Sequence, residues 1–245
     1  MSGAGLKWLA MATMLIDHIA AVVLAPAWGV TVDFTHLSTT LGALAMGGHV
    51  AIYTAMRLIG RLAFPIFCFL LAEGLVHTHS RPRYLRNLLV LAVASEVPFD
   101  LAVAAVPVDM QAQNVLWTLV LGFLACEACD RLDAVSAARL AESGRTALKL
   151  GLVLAIMAVA AFFAVDYSAF GVILIIILYM LRQERKAQCI AGAVACYWEW
   201  TAPLAFIALY RYNGRRGRQP KWLFYAFYPV HLLILVVIRC IWIGF

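Results

Sequence analysis

Arg57–Glu73 reads RLIGRLAFPIFCFLLAE, a run as apolar as a membrane helix that nevertheless carries two arginines. A spacing of four places Arg57 and Arg61 on one helical face. Each charge at the centre of a membrane helix costs about 2.5–3.5 kcal/mol, and more on an isolated helix. Such a helix is tolerated where its arginines meet anions inside the protein. The other apolar segments supply Asp17, Glu96 and Asp100. The pattern predicts helices gathered around a polar chamber in which the chemistry takes place.

The chain of 245 residues is 64% hydrophobic, with a mean hydropathy of +0.89. Soluble domains run at about 45–50% apolar residues, so the composition predicts an all-α polytopic membrane protein. At this length one transmembrane domain over residues 1–245 leaves no room for a second, soluble one. The net charge of +6 resembles a nucleic-acid signal only until its placement is read. The basic residues fall in short loops, as the cytoplasmic flanks of membrane spans require, so no nucleic-acid partner is expected. Cys126 and Cys129 have CxxC form, but they end an apolar helix beside a basic loop, where disulfides are rare. The remaining cysteines read as small membrane-core residues.

The start resembles a signal peptide, with Lys7, an apolar run and Ala25-Pro26-Ala27. Asp17 and His18 interrupt that run, so it reads as a retained first span, about Leu6–Leu24. A segment without Lys or Arg follows as an outer loop. Span two is about Val50–Leu75, loosened around Pro65. Span three is about Leu85–Val106, span four Val115–Cys129, span five Leu150–Val165 and span six Ala169–Leu181. Between them, HTHSRPRYLR, the loop with Arg131, Arg139, Arg145 and Lys149, and Arg182–Lys186 are basic. The alternation predicts a cytoplasmic N-terminus. Residues 188–210 are flanked by basic clusters at both ends, and one crossing would put Arg211, Arg215, Arg216, Arg218 and Lys221 outside. A hairpin broken near Trp198–Pro203, each half about 16 Å long, keeps both ends inside. With the last span, about Trp222–Ile243, the expectation is about eight to nine membrane helices, one pair short and re-entrant.

The polar residues within these spans share a level, from mid-membrane to the outer leaflet. Asp17 and His18 lie in span one, Arg57 and Arg61 in span two, Glu96 and Asp100 in span three. Gln113 and Asn114 open span four, Asp166 sits at an outer turn, and His231 is near the middle of the last span. Five unpaired charges at that depth would cost about 15 kcal/mol, as much as a domain's whole stability. They must be paired or face a water-filled cavity. An inert network of Arg57 and Arg61 with Glu96 and Asp100 is one reading. His231 is a candidate catalytic residue and, amid plain core residues, equally reads as an interhelical hydrogen-bond partner. His18 is harder to explain by packing, because it adjoins Asp17. Glu73 and His77 read as a capping pair. P-loop, GxGxxG, GxSxG and HExxH motifs are absent, and His18, His49 and His231 lack metal-ligand spacing.

LKWLAMATMLIDHIA, RLIGRLAFPIFCFLLAEG, SEVPFDL, QNVLWTL, DYSAFGVILI, YNGRRG and FYAFYPVHLLIL run in order from Leu6 to Leu235. With these strings the chain resembles the TraX family, multi-pass proteins of the bacterial inner (cytoplasmic) membrane named for pilin N-acetylation. That family is similar in turn to transmembrane acyltransferases, which move an acyl group from cytoplasmic acyl-CoA to an acceptor at the opposite face through an intramembrane histidine. The resemblance implies acetyl-CoA as co-substrate. The acceptor would be an amine or hydroxyl on a pilin N-terminus, a sugar, a lipid or a small amine. It assigns His18 as general base or transient acyl carrier, with Asp17, Asp100 or Glu96 as its orienting partner. Arg57 and Arg61 would stabilise developing charge or position the acceptor, and an asparagine such as Asn114 would serve as oxyanion donor. Arg81, Arg83, Arg86, Arg211, Arg215 and Arg216 are the cations offered to CoA phosphates. A proton-coupled transporter would also place Asp, His and Arg at mid-membrane, and a non-catalytic subunit binding pilin is a third reading.

Overall fold

A computed structural model describes residues 1–135, 141–218 and 220–244; Arg139 lies outside the described residues. The elements are α1 (Gly3–His18), α2 (Ala25–Trp28), α3 (Leu37–Ala45), α4 (Gly48–Gly60), α5 (Ala63–His77), α6 (Arg81–Val103) and α7 (Val115–Asp133). They continue with α8 (Glu142–Phe162), α9 (Ser168–Met180), α10 (Arg185–Ala195), α11 (Ala205–Tyr210) and α12 (Lys221–Ile243). Apart from one isolated bridge between Gln113 and Val165, the regular structure among the described residues is helical.

Prolines decide where the long apolar segments bend. A proline lacks the N–H that would bond the carbonyl four residues back, and its ring crowds that carbonyl. Pro65 therefore disturbs the ladder at Arg61. The helix breaks at Arg61–Leu62, between α4 and α5, rather than around Pro65 as the sequence suggests. Arg57 and Arg61 both precede the break, one helical turn apart with the Arg61 N–H donating to the Arg57 carbonyl at 3.3 Å, so they share a face as the spacing predicts. Pro26 acts similarly in the first segment. The turn from Ile19 to Leu24, directly after His18, widens into a π-helix before α2 ends at Gly29 in the left-handed conformation. Widened turns of this kind recur at functional sites.

Among the described residues, four helical segments are long and apolar enough to cross a membrane: Gly3–Trp28, Gly48–His77, Glu142–Phe162 and Trp222–Ile243. This is fewer than the eight to nine membrane helices expected. α6 and α7 have the length, about 34 and 28 Å at 1.5 Å per residue, but carry many charged residues, and α9 is short. The interior is built from α1, α5, α6, α7, α9, α11 and α12, with Phe69, Phe123, Leu174, Leu178 and Leu232 fully buried. α8 is peripheral, with Ala160 its buried residue.

The break expected near Trp198–Pro203 is present. Two short 3-10 turns, Tyr197–Glu199 and Ala202–Leu204, separate α10 from α11. The chain returns on itself there, because Arg185 at the start of α10 lies 5.2 Å from the ring of Tyr212, just past α11. At the other extreme, Trp198 stands 5.3 Å from Phe170 at the start of α9.

The basic loops gather at one end of the bundle. Arg81 holds Glu127 and Asp130 at 2.7 Å each and donates to the Tyr179 hydroxyl. Arg185 reaches Glu73 at 3.5 Å, so Glu73 is tied to α10, while His77 caps its own helix through the Glu73 carbonyl. The first N–H groups of a helix have no intrahelical partner. Those of α1 at Gly3 and Ala4 donate to the Arg215 and Arg216 carbonyls, at 2.8 and 2.9 Å.

At the opposite end, buried Arg239 of α12 donates to the carbonyls of Leu101 (2.7 Å) and Ala102 (2.9 Å), satisfying the last turn of α6. Hydrogen bonds from a charged donor contribute about 1.5–3 kcal/mol each, and leaving both acceptors buried and unpaired is costly. Arg239→Met should therefore lower stability by about 2–3 kcal/mol. Reversible unfolding in mixed micelles would measure this, and an unchanged midpoint would show those carbonyls to be solvated.

Candidate functional site

The break at Arg61–Leu62 opens a cavity of about 370 Å³. Asp17 and His18 of α1, Arg57, Gly60 and Arg61, Asp166 and Tyr167 of the α8–α9 connection and Tyr228 of α12 line it. Arg57 pairs with Asp17 at 2.6 Å. Arg61 pairs with Glu199 at 2.8 Å, and its guanidinium lies 5.5 Å from the Phe34 ring. Asp17 Oδ1 and Arg57 Nε are buried without a hydrogen-bond partner, so the pair retains capacity for a ligand. Tyr167 and Ser168 adopt positive φ, as does Trp200 beside Glu199. Strained backbone of this kind costs about 1–3 kcal/mol per residue and persists where the surroundings enforce it. Here Tyr167 stacks on Phe64 with ring centroids 3.6 Å apart, and Trp200 donates its indole N–H to the Phe34 carbonyl.

His18 does not pair with a carboxylate. Its Nδ1 lies 2.6 Å from Nε2 of His231, and the two rings stack nearly parallel with centroids 4.9 Å apart. Hydrogen-bond logic assigns the protons. His231 Nδ1 faces the Phe227 carbonyl at 2.6 Å, and a carbonyl oxygen only accepts, so Nδ1 of His231 donates. In the neutral ring Nε2 is then an acceptor, and His18 Nδ1–H donates to it. The lone pair of His18 is left on Nε2. The partner expected among Asp17, Asp100 and Glu96 is thus replaced by His231.

Glu96 and Asp100 lie apart from the arginines. Glu96 Oε1 accepts from the Asn114 side chain at 2.7 Å and from the Trp117 indole. Asp100 Oδ2 accepts from the backbone of Asp109 at 3.0 Å. The four-residue spacing does put both on one face, but that face secures the α6–α7 connection and not Arg57 or Arg61. Asn114 is committed as well: its Oδ1 caps α7 through the Leu116 N–H and its Nδ2 donates to the Ala92 carbonyl. It therefore has no donor to offer to the cavity.

The expected CoA-binding arginines divide. Arg81 is consumed by Glu127 and Asp130, and Arg83 and Arg86 are exposed on α6. Arg211 and Arg215 are exposed beside the start of α1, and Arg216 lines a second cavity. Sequence reading missed Glu199, Tyr167 and Tyr228 as site residues. A signal for Glu199 existed in its WEW context, a carboxylate at the tip of an apolar hairpin.

Helices of this length and hydropathy, folded around paired charges and a histidine couple, define a membrane-type helical protein with an interior polar site. The family model described as TraX protein matches residues 2–239, and the chain belongs to the TraX family. It is 29% identical over 213 residues, 75% of this chain and 82% of the relative, to the probable fimbrial assembly protein FimC, serogroup H1, of Dichelobacter nodosus. No solved structure matches the chain.

Proposed function

We propose that the protein is an acetyltransferase of the bacterial inner membrane, moving an acetyl group from cytoplasmic acetyl-CoA to an amine or hydroxyl at or beyond the outer face. α6, α7, α9 and the α10–α11 hairpin complete the membrane-embedded bundle in this reading. The observation that carries it is the His18–His231 couple, which leaves an unprotonated imidazole nitrogen on His18 beside two guanidinium groups in one cavity. A thioester is already activated, so the protein must orient the acceptor, take its proton and stabilise an oxyanion. The acceptor nitrogen or oxygen bonds to the acetyl carbon while its proton passes to His18 Nε2. The oxyanion formed is held in the field of Arg57 and Arg61. The carbon–sulfur bond then breaks, and the departing CoA thiolate takes the proton back from His18. The fimbrial-assembly name of the relative favours a pilin-type N-terminus among the acceptors, which also include sugars, lipids and small amines.

The test is binding and turnover of acetyl-CoA by purified protein, wild type beside His18→Ala. Removal of a general base lowers turnover by about 10²–10⁴-fold, so CoA release should nearly vanish in His18→Ala while acetyl-CoA binding persists. Wild-type protein that is well folded yet binds no acetyl-CoA would overturn the reading and favour proton-coupled transport.

A further inference from the structure

A second cavity, of about 380 Å³, lies along α1 toward the basic end. Lys7, Arg216, Tyr84 and Asn87 line it together with apolar side chains such as Leu88 and Leu119. Met14, Phe67, Val115 and Tyr228 line both this cavity and the one that holds His18. A single layer of side chains therefore separates two compartments, one reaching the basic end and the other holding the histidine couple and the arginines. The Tyr228 ring, in that layer, is edge-on to His18 with centroids 6.3 Å apart.

We propose that the basic-end cavity receives the pantetheine arm of acyl-CoA and presents the thioester to His18 across the Met14–Phe67–Val115–Tyr228 layer. The inference rests on the transferase reading and specifies where its donor lies. Length agrees. Lys7 and His18 are separated by about 16 Å along α1 at about 1.5 Å per residue. The arm has about twelve chain bonds, equivalent to about four extended residues or about 14 Å. Chemistry agrees as well. Ligand sites are mostly apolar with a few placed polar groups, which suits an arm of methylenes and a gem-dimethyl group broken by two amides. Tyr84 supplies a hydrogen-bonding hydroxyl for those amides. Lys7 and Arg216 bring positive charge to the end where the phosphates would sit. Donor and acceptor then enter from opposite ends, and neither has to leave before the other arrives.

Cysteine labelling tests this without relying on turnover. Five of the six native cysteines are buried and Cys240 is half-buried, so Cys240→Ser gives a quiet background. Asn87→Cys reports on the basic-end cavity and Ala112→Cys on the His18 cavity. Tyr225→Cys serves as a second basic-end reporter if Asn87→Cys misfolds. Desulfo-CoA, which has the arm but no acyl group, should slow maleimide labelling at Asn87→Cys at least tenfold and change Ala112→Cys less than twofold. Unaltered labelling at both basic-end reporters, in protein that still turns over acetyl-CoA, would overturn the inference and leave the transferase standing. Absence of both protection and turnover would overturn the two together.

Discussion

Gly60→Ala is expected to unfold or severely loosen the site, although it adds one methyl group. A Cβ built on Gly60 would stand 2.2 Å from both Cβ and Oδ1 of Asp17 and 2.4 Å from its Cγ. These are not the far end of a flexible side chain. Asp17 is held by Arg57, one turn before Gly60 on the same helix, so it cannot swing aside without breaking that pair. Either α1 and α4 separate, or a partly buried aspartate and arginine lose each other. Overpacking alone costs about 1–3 kcal/mol, and breaking a buried pair costs about 3–5 kcal/mol. The expected destabilisation is therefore about 3 kcal/mol or more. Thermal unfolding of detergent-purified protein measures it, beside Gly151→Ala as a control. Gly151 is interior to α8, with nothing within 4 Å of its would-be Cβ, and alanine there should be neutral or stabilising by up to about 1 kcal/mol. Equal stability of the two variants would show that α1 and α4 part freely at the site.

The same region shows what could and could not be read from the chain. Two arginines in an apolar run announce a polar chamber, because burial without partners is too costly, and Asp17 was visible as an anion for one of them. The second anion was not. Glu199 reaches Arg61 only because the α10–α11 hairpin inserts its tip beside the α4–α5 break, and no periodicity links residues 138 positions apart. Glu96 and Asp100 mislead for a related reason. Four-residue spacing fixes their common face on α6 but not the direction in which that face points, which depends on how α6 packs on α7 and α12. The backbone break is legible in hindsight from one rule, since proline perturbs the carbonyl four residues earlier and so marks Arg61 rather than itself. The hairpin itself could be anticipated from charge placement, whereas the cavity behind Lys7 has no sequence signature at all.

His231→Leu should sharply lower turnover in the proposed reaction, though by less than a triad histidine loses when its orienting partner is changed. His231 is a positioning residue in the proposed reaction. Its Nδ1–H is fixed by the Phe227 carbonyl, its Nε2 accepts from His18, and the lone pair of His18 is thereby held on Nε2. Without that acceptor the His18 ring can take the other tautomer, with the lone pair on Nδ1, or rotate. In a serine protease, exchanging the orienting carboxylate for an amide that imposes the wrong tautomer lowers kcat by about 10⁴-fold. A neutral histidine is a weaker anchor than a carboxylate, so a loss of about 10²–10³-fold in kcat is expected here, with KM for acetyl-CoA little changed. His231→Gln separates orientation from packing. A glutamine amide oxygen can occupy roughly the position of Nε2 and accept from His18 Nδ1–H, which would hold the ring in its productive tautomer. It should recover at least tenfold over leucine, although leucine fills the site with a comparable apolar volume. If both variants retained wild-type kcat, His18 would be oriented by something other than His231. If leucine and glutamine failed equally with unchanged unfolding midpoints, the couple would be sharing a proton during turnover, not merely fixing a tautomer.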